Sequence, residues 1–149
     1  MIPAFTHCAL HVCDLDDSIA FYRGYCGMEV VKEHGKGKGR VAWLASPGAE
    51  EDFVLVLLGG GPRHVQVKKD MTHYGFGVES REEVESIAER AKRDGCLYWE
   101  PRDYAPPTGY LCGVRDPTGY IIEFSYGQPL GHRTPASFRT CCRCGSSSP

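Results

Sequence analysis

An excess of either charge is missing from this chain: 17 Lys and Arg stand against 19 Asp and Glu, for a net charge of -2. Without a basic surplus there is no electrostatic footprint for a nucleic-acid partner. No apolar run approaches the roughly 18 residues of a membrane span. The opening "MIPAFTHC" lacks the charged-then-apolar order of a secretion signal, so a cytoplasmic location is expected. The "GGG" at 59–61 lacks the Lys and the helix that follow a phosphate loop, and reads as a flexible connector. There are eight cysteines but no paired CxxC motifs. Cys8, Cys13, Cys26, Cys96 and Cys112 sit within apolar patterns, where a free thiol behaves as a small hydrophobe. Cys141, Cys142 and Cys144 fall in "RTCCRCGSSSP", and residues 131–149 are expected to form a disordered Cys/Ser-rich tail.

Periodic segments fill most of what precedes that tail. "FTHCALHVC" alternates as a half-buried strand does. Asp14 or Asp16 can cap the helical pattern "DDSIAFYRGYCG", in which Ile19, Tyr22 and Cys26 recur beside Phe21 and Tyr25, and Gly27 ends it. Strands then follow at "MEVVKEH", "RVAWLA" and "FVLVLL", which makes the first half β-α-β-β-β. The second half repeats that order. "THYGFGV" is a strand; Ser80 with Glu83 forms a capping box for "REEVESIAERAKRDG", and Gly95 closes it. Val84, Ile87, Ala88 and Ala91 make the apolar face of this helix. "CLYWEP", "GYLCGV" and "YIIEFSY" complete the set, with "RDPTG" as a turn.

Counting supports a duplicated unit. His7 to Gly27 is 20 residues and His73 to Gly95 is 22; His7 to Val56 is 49 and His73 to Glu123 is 50. Val56 therefore aligns with Glu123. The halves are module one at 5–60, a linker at 61–71 and module two at 72–127. Neither module is large enough to bury an adequate core alone.

Strand side chains alternate between faces. His7, Ala9 and His11 share one face, opposite Cys8, Leu10 and Val12; His73, Gly75 and Gly77 share another, opposite Tyr74, Phe76 and Val78. The bulky faces are expected to meet the helices. The others carry small residues with His7, His73 and Glu123. An ionised carboxylate inside "YIIEF" is costly unless it is paired or metal-bound. Two His and one carboxylate make a divalent-metal set that leaves positions open for substrate. On the same face His11 is a candidate general base. Arg102, Tyr104 and Tyr110 flank the strands near the expected mouth. Arg102 and Tyr104 are candidates for holding an anionic or aromatic substrate, and Tyr110 is a candidate catalytic group.

The stretches "THCALHVCDLDDSIAFYRGYCGMEVV", "THYGFGVES" and "VRDPTGYIIEFSYGQPLG" resemble the vicinal oxygen chelate superfamily, which includes glyoxalases, bleomycin- and fosfomycin-resistance proteins and extradiol dioxygenases. The resemblance spans roughly Phe5 to Leu130, within a single domain at 1–130. It implies an α+β fold in which two βαβββ modules form an open, curved mixed sheet around a metal cup. It also implies that His7, His73 and Glu123 bind one divalent ion: Fe, Mn, Ni, Co or Zn. A small-molecule substrate would bind through neighbouring oxygens, in a homodimer with sites shared between chains. Glyoxalase I enzymes place a fourth ligand where Val56 stands, extradiol dioxygenases a Tyr where Gly113 stands, and fosfomycin thiol transferases a Thr where Ala9 stands. The implied activity is that of a glyoxalase-like lyase or isomerase. An extradiol-type dioxygenase and a metal-free sequestering protein of the bleomycin-resistance kind are the alternatives.

Overall fold

The computed structural model describes residues 3–129, so the expected tail and its three cysteines lie outside the described residues. The chain divides into two compact units. One comprises the residues up to Thr72 together with Arg115–Tyr120; the other comprises His73–Val114 and the residues from Ile121.

In the first unit, β1 (His7–Val12) leads into α1 (Leu15–Cys26), followed by β2 (Glu29–His34), β3 (Val41–Ala45) and β4 (Val54–Gly59), with a short 3-10 turn at Gly37–Gly39. Asp14 is the cap of α1: its Oδ1 accepts from the Asp17 N–H at 3.0 Å. Gly27 ends the helix in the left-handed region at φ 63°, where a side chain would be strained. The helix buries Leu15, Ser18, Phe21 and Tyr22 and leaves Ile19 and Cys26 only half-buried. Ser18 tolerates burial because its hydroxyl donates to the Asp14 carbonyl at 2.7 Å. The strands form one mixed sheet in the order β1-β4-β3-β2, with β1 and β4 parallel.

The second unit repeats this with β5 (Tyr74–Gly77), α2 (Arg81–Arg93), β6 (Leu97–Tyr104), β7 (Gly109–Arg115) and β8 (Ile121–Tyr126), in the order β5-β8-β7-β6. Ser80 Oγ accepts from the Glu83 N–H at 3.1 Å, and the Glu83 carboxylate reaches back to the Glu79 N–H at 2.9 Å. Val84, Ala88 and Ala91 are buried, as the periodicity requires, while Ile87 is half-buried. The two modules are thus two four-stranded mixed sheets, each with one helix, in an α+β fold.

Two connections differ from expectation. β6 runs on through Arg102 and Tyr104, because a register shift between Trp99 and Arg102 accommodates Pro101. The segment after β4 is pinned rather than flexible. The Gly61 N–H donates to the Val12 carbonyl at 2.8 Å, the His64 N–H donates to the Thr118 carbonyl at 2.9 Å, and the His64 ring stacks on Tyr120 at 4.5 Å.

The turn at 115–120 is held from inside. Asp116, which is buried, accepts from the Gly119 and Tyr120 N–H groups and from the Tyr22 hydroxyl at 3.0 Å. Burial raises the Asp116 carboxyl above its ordinary range, and these donors offset part of the rise. The native state therefore favours the protonated form relative to the unfolded chain. The resulting stability is fully present below the unfolded-state pKa and is lost as pH rises through the native one. Tyr22→Phe removes a donor to the ionised form. It is expected to cost about 1–3 kcal/mol near neutrality, and less in acid, where Asp116 is protonated. Urea denaturation of both proteins across pH checks this.

Candidate metal and substrate site

In the first unit, His7, Ala9 and His11 are exposed along β1 while Leu10 and Val12 are buried, which is the alternation the sequence requires. His7 Nδ1 lies 3.0 Å from Thr6 Oγ1, so the hydroxyl fixes one ring nitrogen and the other faces away from that contact. His11 is four residues further along, about 13 Å at the rise of a strand. Its ring packs against the Gly61 backbone, where any Cβ would meet it at 2.7 Å. The two histidines share a face but the strand does not bring them together. Val56 is 8% exposed and stands opposite Ala9 on β1 and Trp43 on β3.

In the second unit, Gly75 pairs with Glu123 as Ala9 pairs with Val56. Gly75 and Ala9 each follow a histidine by two residues, so the register confirms the equivalence found by counting. Glu123 is 7% exposed at the centre of β8. His73 Nε2 lies 3.2 Å from Glu123 Oε2, and the Gln128 side-chain amide donates to Oε1 at 2.8 Å. Gly75 leaves this corner open, since a Cβ there would lie 3.7 Å from Oε1. The His73 and Trp99 rings stand nearly perpendicular, with centroids 5.5 Å apart. Trp99 in turn lies flat over Gly113, where a Cβ would run into its ring.

The separation within the His73–Glu123 pair suits a metal. Two ligands about 2.0–2.2 Å from one ion stand about 3.0–3.4 Å apart at ordinary coordination angles. One imidazole nitrogen and one carboxylate oxygen are donors that Fe, Mn, Ni, Co and Zn all accept. Among the described residues, no group of three or more His, Cys, Asp or Glu side chains forms a metal cluster.

Register sorts the remaining candidates. Arg102 pairs with Leu111 and Tyr104 with Gly109, so both project on the side of Trp99 and Gly113, and the Arg102 guanidinium lies 5.5 Å from the Tyr104 ring centre. Tyr110 and Asp103 project to the other side, toward α2. The Tyr110 hydroxyl donates to Glu85 while the Arg81 guanidinium lies over its ring at 4.4 Å and pairs with Asp103 at 2.9 Å. The Glu85 carboxylate pushes Tyr110 up to about 12. The structure thus separates Tyr110 from the His73–Glu123 pair by the thickness of the sheet, and its phenol keeps its proton. Trp99 and Gln128 were missed by sequence reasoning. The period-2 face of β6 offered a signal for Trp99; Gln128 had none, because its reach depends on a turn.

The five described cysteines are free thiols. Cys112 is buried, donates to the Val84 carbonyl at 3.7 Å, and is raised to about 12 by burial, which leaves it inert; Cys13 is exposed. No helix among the described residues is long and apolar enough to cross a membrane.

Three relatives set this geometry in context. An uncharacterized protein of Pseudomonas aeruginosa is 50% identical over 132 residues, covering 88% of this chain and 94% of that one. Lactoylglutathione lyase of Salmonella typhimurium is 27% identical over 139 residues, covering 84% and 93%. Among solved structures, a mutant of the fosfomycin resistance protein FosX from Listeria monocytogenes, complexed with Mn(II), matches with a TM-score of 0.68 at 20% identity over 87% of this chain and 95% of that one. The family model of the Glyoxalase/Bleomycin resistance protein/Dioxygenase superfamily matches residues 4–124, which takes in both modules from before His7 to Phe124. Paired βαβββ modules and this match agree: the chain belongs to the glyoxalase/bleomycin resistance protein/dioxygenase superfamily.

Proposed function

We propose that the protein is a divalent-metal-dependent enzyme acting on a small, oxygen-rich substrate held through two neighbouring oxygens, with glyoxalase-like lyase or isomerase chemistry. The observation that carries this is the His73–Glu123 pair, 3.2 Å apart, with His73 immediately before β5 and Glu123 at the buried centre of β8. His7, at the equivalent station of module one, is the proposed third ligand. The Mn(II) complex of FosX and the lactoylglutathione lyase relative support the class. When bound, the ion supplies a Lewis acid for negative charge developing on a substrate oxygen. The chain's own residues set the rest. Trp99, seated over Gly113, stands nearly perpendicular to the His73 ring, Gly75 leaves room beside Glu123, and Arg102 braced on Tyr104 offers a cation to an anionic substrate. The retained His, His and Glu favour this over metal-free sequestration, which has no use for them.

The test is metal analysis of protein purified without chelator. Wild type should carry about one divalent ion per chain. His73→Ala should weaken binding by more than the roughly 10–100-fold that loss of a mere supporting hydrogen bond costs, and should remain folded. A wild type that takes up none of Fe, Mn, Ni, Co or Zn at micromolar levels would refute the proposal.

A further inference from the structure

We propose that Gln128 is a positioning residue for Glu123, one that occupies Oε1 so that the carboxylate offers a metal only Oε2. The inference rests on the metal-enzyme proposal above and concerns a residue outside its ligand set. Five residues of extended strand would carry Gln128 about 16 Å past Glu123. The chain instead turns back at Gly127, in the left-handed region at φ 86°, a conformation open to glycine. The turn is closely seated, because a Cβ on Gly109 would collide with the Tyr126 carbonyl and lie 3.2 Å from the Gly127 carbonyl carbon. The reversal delivers the Gln128 amide to Oε1 at 2.8 Å, while Oε2 faces His73 at 3.2 Å. The two oxygens of a buried carboxylate are thereby given different tasks. An amide N–H donates and cannot ligate, so it marks Oε1 as the oxygen withheld. A carboxylate free at both oxygens can bind an ion through both and take up a position that substrate needs. Fixing the carboxylate in one orientation also prepays its ordering, and loss of such a partner commonly costs about 10–100-fold in metal affinity.

Co(II) alone is the probe, since its visible spectrum reports the number and arrangement of ligands. Gln128→Leu removes the donor at similar volume; Gln128→Asn keeps an amide but withdraws it by one methylene. Both are expected to stay folded, to bind Co(II) about 10–100-fold more weakly than wild type, and to show a changed visible spectrum as Glu123 Oε1 joins the ion. Variants with the wild-type spectrum overturn the inference, whether affinity is unchanged or falls only in step with thermal stability. If wild type itself takes up no Co(II) or other divalent ion, the ligand assignment fails first, and this inference with it.

Discussion

A chain carrying His7→Ala, mixed with one carrying Glu123→Ala, is expected to regain metal binding that neither shows alone. The expectation follows if the protein is a homodimer whose His7 meets His73 and Glu123 of the partner. Symmetry then gives two sites per dimer, made by the same patches. The segment before β5 is suited to a second copy: Val65, Val67 and Met71 are 71%, 63% and 61% exposed, a concentration of apolar surface on a stretch without helix or strand. In a mixed dimer one site loses both His7 and Glu123 and the other loses neither. Equal mixing makes half the dimers mixed, so binding should return to about a quarter of the wild-type capacity. Subunit exchange is confirmed by mass. Exchange without recovered binding means that each site lies within one chain, and the shared arrangement is then wrong.

The second large effect concerns Val56. Wild type is expected to turn over the glutathione–methylglyoxal hemithioacetal poorly, although a lactoylglutathione lyase is among its relatives. Val56 stands at the register position equivalent to Glu123, opposite Ala9, and is 8% exposed. A valine there can neither bind an ion nor move a proton, and a positioned acid–base group contributes about 10²–10⁴-fold to such reactions. Val56→Glu should raise turnover of that substrate by up to that range. Stability will fall, because an extra carboxylate on a mostly buried site is costly without a partner. Assay in the presence of added metal separates the two effects. Robust wild-type turnover would show that Val56 is no obstacle.

Much of the fold could be read before any coordinates. The Ser80–Glu83 box and Asp14 announced the helices, because capping is local chemistry written in three or four residues. Spacings of 49 from His7 to Val56 and 50 from His73 to Glu123 foretold the matching stations, and parallel pairing of the first and last strands of each module sets Ala9 against Val56 and Gly75 against Glu123. What depended on less local geometry was hidden. The strand "CLYWEP" was read only as far as Pro101, and the register shift beside that residue lets β6 reach Tyr104. Tyr110 was expected near the mouth, but which face of β7 meets α2 depends on packing between distant segments; the Glu85 contact turns Tyr110 toward the helix. Gln128 lay beyond the last apparent strand, and its place at Glu123 needs the reversal at Gly127.

The Tyr22–Asp116 bond has a consequence for biosynthesis. Its partners are 94 residues apart, and both belong to the first unit. At about 5–20 residues per second on a ribosome, Asp116 is polymerised some 5–20 s after Tyr22. Throughout that interval α1 emerges with its hydroxyl denied this acceptor, and Thr118, the acceptor for the Cys13 and His64 N–H groups, is likewise absent. A nascent chain stalled before residue 116 therefore exposes an unfinished first half to chaperones and proteases. A gene cut between codons 72 and 73 would make that condition permanent.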